Sequence, residues 1–203
     1  MNVLTDLNII GSLSDLKVKI GTDSEHIEIK DNILLKGGYT CWTDLEGPAS
    51  TAKKGATNKP DFDYDNLTLD FPQNDDTERA YYSIQFPHEW KSESTIYPHV
   101  HFIQTQNLTP TFVLEYRWLG IGDVIPSWSS YTLNTLAKTY TSGSMHQILT
   151  NVNGIDGTGK ELSSIFQCVL YRTDNTYIGD CKVLSFDIHI EIDSFGSKEE
   201  YIK

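Results

Sequence analysis

The chain predicts an all-β fold, an antiparallel β-sandwich of jelly-roll type preceded by a small N-terminal arm. Three observations predict it. Short segments alternate apolar and polar residues, Gly, Pro, Asn and Asp separate them, and almost no segment has the period of an amphipathic helix. Aromatic residues make up 11% of the 203, with 11 Tyr and 4 Trp, a usage that suits strands better than helical bundles.

The first residues are ambiguous, because Leu4, Leu7 and Ile10 fit a helix or a strand and Gly11-Ser12 interrupts them. Ile27 and Ile29 then alternate with Glu28 and Lys30, Asp31-Asn32 marks a turn, and Ile33-Leu34-Leu35 leads to Gly37-Gly38. This reads as a small hairpin ending at the clearest linker signal in the chain. Residues 1–38 are therefore expected to form an arm or attachment segment, and 39–203 the sandwich domain. Residues 43–66, rich in Pro, Gly, Ala, Lys and Asp without periodicity, read as a long surface loop.

Regular strands follow. Tyr82, Ile84 and Phe86 alternate with Tyr81, Ser83 and Gln85, and Phe112, Leu114, Tyr116 and Trp118 alternate with Thr111, Val113, Glu115 and Arg117. Between them lies Tyr97-Pro98-His99-Val100-His101-Phe102, a strand with His99 and His101 on one face and Val100 and Phe102 on the other. Residues 127–142, dominated by Ser, Thr, Tyr and Asn, fit a strand or an exposed loop. The run Ile165 to Tyr171 fits a buried strand or a helix. In the last strand Leu184, Phe186, Ile188, Ile190 and Ile192 form one unbroken apolar face opposite Ser185, Asp187, His189, Glu191 and Asp193. One-sided burial of this kind belongs to an antiparallel sheet.

Charge narrows the partners. Lys and Arg number 16 against 28 Asp and Glu, a formal net charge of -12, which opposes nucleic-acid phosphates and anionic membrane surfaces. No apolar run approaches the roughly 20 residues of a membrane span, and the N-terminus lacks the basic start and apolar core of a signal peptide. The chain reads as soluble and unprocessed. Cys41, Cys168 and Cys181 form no CxxC pair, so free thiols in a reducing compartment are expected rather than disulfides or a thiolate zinc site.

Three constellations bear on chemistry. Asp61-Phe62-Asp63-Tyr64-Asp65 begins like an EF-hand loop, but Asn66 and Pro72 stand where Gly and Glu are needed, which leaves a solvated acidic loop or an irregular Ca²⁺ loop. Gly154 to Glu161 nearly completes a phosphate-binding GxxxxGK[ST] pattern. Glu161 replaces the hydroxyl that should hold Mg²⁺ and puts a carboxylate near the phosphates, so a Gly-rich turn between strands is the expectation. His99 and His101 stand about 6.5 to 7 Å apart along one strand face and could ligate a divalent metal in a cupin-like manner, with Glu115 as the carboxylate. His88, His146 and His189 are further candidates for the last ligand. The plainer reading, buried or interface histidines used as hydrogen-bond donors, outweighs the metal reading, so no cofactor is expected. No Ser-His-Asp or Cys-His arrangement can be argued from spacing, and no catalytic residue is assigned.

A set of blocks taken in order resembles a family of tailed-bacteriophage virion structural proteins. The blocks are Trp42-Thr43-Asp44-Leu45 with Pro48, Ile84-Gln85-Phe86-Pro87-His88, Ile96 to Phe102, Leu114-Glu115-Tyr116-Arg117-Trp118 with Ile121-Gly122, Asp156-Gly157-Thr158-Gly159-Lys160, and the ending Gly196 to Lys203. The resemblance covers about residues 40–203, and the order and spacing of the blocks are its specific part. It implies a non-enzymatic jelly-roll protein of the virion, made in the host cytoplasm, that decorates the head or belongs to a head fibre or tail. It further implies self-assembly, with a trimer favoured, and contacts with other capsid or tail proteins. The alternative is a cupin-like metal-binding enzyme or a carbohydrate-binding module using the His99/His101 strand.

Overall fold

Phe112, Leu114 and Trp118 are buried while Thr111, Val113, Glu115 and Arg117 are only partly so, as their alternation predicts. The same rule holds along most of the longer described strands. The computed structural model describes residues 41–173 and 176–196, so the arm and hairpin expected within 1–38 lie outside the described residues.

The described strands are β1 (Cys41–Pro48), β2 (Lys53–Lys54), β3 (Asp61–Asp63), β4 (Thr68–Phe71), β5 (Ala80–Gln85), β6 (Tyr97–Gln104), β7 (Phe112–Leu119), β8 (Ser129–Leu133), β9 (Thr135–Leu136), β10 (Met145–Thr150), β11 (Ile165–Arg172) and β12 (Cys181–Ile192). A single 3₁₀ turn, Ala49–Thr51, is the only helical segment among the described residues.

Two antiparallel sheets form a sandwich. The first runs β3-β4-β12-β6-β10-β9, with β1 also paired to β12, and the second runs β2-β5-β11-β7-β8. Setting aside β1 and the short β2, β3 and β9 leaves β4-β12-β6-β10 facing β5-β11-β7-β8. The first strand of this set lies beside the last in one sheet, and the second beside the penultimate in the other. That connectivity is the double Greek key of a jelly roll.

Apolar faces of the two sheets meet in one core. Val100 and Phe102 of β6 and Phe186, Ile188 and Ile190 of β12 oppose Phe112 and Leu114 of β7 and Phe166 and Leu170 of β11. Aromatic pairs bridge the layers, Phe71 to Phe112 at 5.2 Å and Tyr82 to Phe186 at 5.1 Å between ring centroids. At one end Phe86 lies 4.6 Å from both Trp90 and Trp118, stacked on the latter. Each such ring buries a large apolar area, and truncating one to Ala would cost about 3 to 5 kcal/mol.

Some expectations change. The long loop expected over 43–66 holds most of β1 and all of β2 and β3, and β1 pairs with β12 residue by residue from Cys41↔Ile192 to Pro48↔Ser185. Its Asp, Glu, Gly and Pro are residues that strands disfavour, and most of its side chains remain exposed or half-buried, so backbone pairing to a partner distant in sequence holds it. The unbroken face expected from Leu184 to Ile192 is interrupted as well. The register of β12 against β6 shifts between Val183 and Ser185. Cys181 and Val183 point inward before that bulge, Phe186, Ile188 and Ile190 after it, and Leu184 is only half-buried.

The open choices also resolve. Ile165–Arg172 is a strand between β5 and β7, and 127–142 supplies β8 and β9. Gly154 to Glu161 is the β10–β11 connection, pinned by a bridge between Ile155 and Ile96 and leading into a strand rather than the helix a phosphate loop requires. Asp63 of the acidic loop accepts hydrogen bonds from Lys182, Asp65 and Asn66, so its oxygens are engaged within the protein.

Candidate functional site

The β12 bulge decides which side chains reach the outer face of the first sheet. It switches the inward positions from odd to even, and so turns Ser185 and Asp187 outward beside β6. In the resulting register Asp187 pairs with His99, Ser185 with His101 and His189 with Tyr97. On the far side of β12, β1 sets Asp44 opposite His189 and Glu46 opposite Asp187. On the far side of β6, β10 sets His146 opposite Ile103, within reach of His101.

His99, His101 and Asp187 converge: one ligand atom from each lies within 4.8 Å of the others. His101 Nε2 is 3.1 Å from Asp187 Oδ2. His99 Nε2 is 3.9 Å from the same oxygen and 3.9 Å from Asp44 Oδ1. His99 Nδ1 lies 3.2 Å from the carbonyl of Tyr97, and His101 Nδ1 lies 2.7 Å from His146 Nε2. The carboxylate is itself held, because Gly47 N–H donates to its Oδ1 at 3.4 Å and the Ser185 hydroxyl to its Oδ2 at 3.2 Å.

Burial sets the charges. Only 7% of His99 and 7% of Asp187 is exposed. Burial pushes the His99 pKa down, reinforced by His101 and opposed by the Tyr97 carbonyl and the two aspartates. The 3.9 Å contacts to Asp44 and Asp187 are therefore not salt bridges of a charged imidazole at neutral pH. Burial pushes the Asp187 carboxyl up, but the hydrogen bond and charge of His101 with the Gly47 N–H outweigh it and hold the group below its ordinary value. Burial and the neighbouring His101 lower His146. Two shallow cavities, of about 320 and 230 Å³, meet at His101; one extends toward Glu46 and His146, the other toward Asp44 and His189.

Of the residues singled out in the sequence, His99 and His101 come together and His146 joins them. Glu115 does not. It stands on the outer face of the second sheet, where its carboxylate accepts hydrogen bonds from Arg79 and from the Tyr171 hydroxyl, each at 3.1 Å. The carboxylate beside the histidines is Asp187. His88 hydrogen-bonds Ser163 at 3.0 Å. The His189 ring lies 6.1 Å from that of His99 and stands edge-on to Trp42 at 5.0 Å. In the sequence Asp187 is one member of the polar face Asp187, His189, Glu191 and Asp193, which reads first as a solvated face and second as a subunit interface or cation site, and Asp44 is part of an apparent loop; nothing local signals that β6 and β12 are neighbours.

Fold and site together define a jelly-roll β-sandwich with a His-His-Asp cluster on the outside of one sheet. No family model and no curated protein matches the chain. Among solved structures it is similar to a carbohydrate-binding module specific for non-crystalline cellulose, of class CBM28, at 7% identity over 68% of this chain and 74% of that one, with a TM-score of 0.32. A likeness at that level says nothing of function.

Proposed function

We propose that the protein is a non-enzymatic structural component of a tailed-bacteriophage virion, a jelly-roll module of the head surface, a head fibre or the tail that assembles with copies of itself as a trimer. The ordered sequence blocks support this reading, and jelly rolls recur in capsid and lectin domains. The observation that carries it is the β7–β8 connection. Ile121, Val124, Ile125 and Trp128 are 58, 93, 62 and 45% exposed there. So many large apolar side chains in one short loop favour a protein surface that covers them. Peptide mass spectrometry of purified virions tests membership of the particle, and absence of the chain defeats it. Light scattering on the isolated protein tests self-assembly: an oligomer is expected, dispersed by Val124→Asp with Ile125→Asp, and a monomeric unmutated protein defeats that part.

A second reading, carbohydrate binding, has one observation in its favour. Tyr81 and Trp128, 40 and 45% exposed, flank a shallow groove of about 280 Å³ on the outer face of the second sheet, with Ser83 and Gln167 beside them. Flat aromatic faces next to amide and hydroxyl groups suit a sugar ring. This groove lies on the opposite face from the His99/His101 strand. Glycan-array binding lost in Trp128→Ala would support it, and no binding by the unmutated protein would remove it.

A further inference from the structure

We infer that His99, His101 and Asp187 bind a divalent transition-metal ion on the outer face of the first sheet. The site stands independently of the virion and carbohydrate readings, since neither requires it and neither failure would touch it.

Geometry comes first. In a tetrahedral zinc site, bonds of about 2.0 to 2.2 Å put neighbouring ligand atoms about 3.4 Å apart. The His101 Nε2 to Asp187 Oδ2 distance of 3.1 Å already fits that edge, and the 3.9 Å from His99 Nε2 is longer by only a side-chain adjustment. The donors sit on β6 and β12, adjacent strands inside the sheet, so the backbone holds their spacing.

Proton placement points the same way. The Tyr97 carbonyl can only accept, so the hydrogen bond at 3.2 Å puts a proton on His99 Nδ1 and turns the Nε2 lone pair toward the carboxylates of Asp187 and Asp44. With the His101 proton on Nδ1, toward His146, instead of on Nε2, toward Asp187, three acceptors converge with no donor among them, an arrangement that a cation relieves. A proton on Nε2 would be the competing solution, and the experiment below separates the two.

The surroundings are those of a supported ligand set. His101 Nδ1 can donate to His146 Nε2 at 2.7 Å, which frees His101 Nε2 for the ion. Gly47 and Ser185 fix the two oxygens of Asp187. Outer hydrogen bonds of this kind set the tautomer and orientation of metal ligands. Two imidazoles and one carboxylate select Zn²⁺, Co²⁺, Ni²⁺ or Fe²⁺ over Ca²⁺ and Mg²⁺, which prefer all-oxygen sets. Asp44 or water would complete the coordination from the open side. Through Asp44 and the Gly47 contact the ion would link β1 to the two strands that carry the ligands.

The test uses full-length protein without a His tag, stripped with chelator and titrated with ZnCl₂ by calorimetry and with Co²⁺ by visible absorption. One ion per chain is expected. Affinity should fall at least about 100-fold in His99→Ala and Asp187→Asn, and about 10-fold in His146→Ala, where only the supporting hydrogen bond is lost. His88→Ala should bind as the unmutated protein does. Should a ligand variant fail to fold, the decision passes to the unmutated protein with Co²⁺, whose assigned His99 and His101 ring protons should show paramagnetic shifts. No stoichiometric binding, undiminished binding in folded His99→Ala and Asp187→Asn, or unshifted His99 and His101 resonances would each overturn the site and leave a proton on His101 Nε2, donated to Asp187, in place of the ion.

Discussion

The backbone N–H of Gly47 donates to Asp187 Oδ1 at 3.4 Å, and with the approach of Asp44 to His99 this contact joins the edge strand β1 to the histidine cluster. Gly47 is needed because the strands approach closely there. A Cβ at that position would lie 2.7 Å from the Phe186 carbonyl oxygen and 3.1 Å from the Tyr82 ring. Gly47→Ala should therefore push β1 off β12 and cost about 1 to 3 kcal/mol. Denaturant unfolding reads the loss, and hydrogen exchange should show it concentrated in the β1 amides. A change below about 0.5 kcal/mol, the size of an ordinary surface substitution, would mean the strands part without cost.

That relationship also marks how far the sequence alone can reach. Strands with one buried face declare themselves, because alternation in Phe112 to Trp118 or Phe186 to Ile190 reports burial directly. β1 declares nothing, since its order comes from backbone bonds to β12 across some 140 residues of chain, as the Gly47–Asp187 separation shows. The site follows the same division. His99 and His101 were legible because two residues apart on a strand means one face. Glu115, the first acidic residue after His101 along the chain, belongs to the other sheet, whereas Asp187 needs the β6–β12 register and the bulge that turns it outward. Neither leaves a local trace.

Arg172 holds the end of the sandwich by a different device. With 1% of its surface exposed, its guanidinium donates to the carbonyls of Phe71 at 3.1 Å, Gly179 at 2.6 Å and Tyr177. Arg172→Met would orphan these acceptors and should cost about 2 to 4 kcal/mol. Arg172→Lys should fail nearly as badly, because one ammonium cannot span the same fork of carbonyls. The denaturation midpoint should fall with an unchanged slope, and a stable Arg172→Met protein would refute the assignment.

Alkaline pH should destabilise the fold through one half-buried and one buried neutral acid. Burial pushes the Tyr131 phenol up to about 12, from an ordinary value of 10.0, while its hydroxyl donates to the Asn151 carbonyl at 3.1 Å. Burial likewise raises the Cys168 thiol above its ordinary 9.0. Both groups lose their proton more readily in the unfolded chain. Their stabilisation is therefore complete below the unfolded values and lost as pH climbs through the folded ones. Stability should be level from about pH 7 to about pH 9 and decline beyond it, with a shallower decline from 10 to 12 in Tyr131→Phe. Urea unfolding at a series of pH values reads this directly, and a flat profile to pH 11 would contradict it.

The Gly154 to Glu161 connection separates a structural turn from a phosphate loop by the residue that matters. Gly154 has φ of +66°, and a Cβ there would meet Thr95 Cγ2 at 2.4 Å and the Ile96 carbonyl oxygen at 2.9 Å. The next residue, Ile155, exchanges backbone hydrogen bonds of 2.7 and 2.9 Å with Ile96. Gly154→Ala should thus strain the backbone and open the bridge, at a cost of about 1 to 3 kcal/mol. Lys160→Ala, which removes the side chain a phosphate loop depends on, should change stability by less than about 0.5 kcal/mol. A phosphate loop inverts the second outcome in one measurable respect: ATP would stabilise the unmutated protein against heat and leave Lys160→Ala unaffected. Thermal unfolding of the three proteins with and without ATP distinguishes the cases, and the packing of Gly154 against Thr95 and Ile96 predicts no nucleotide effect in any of them.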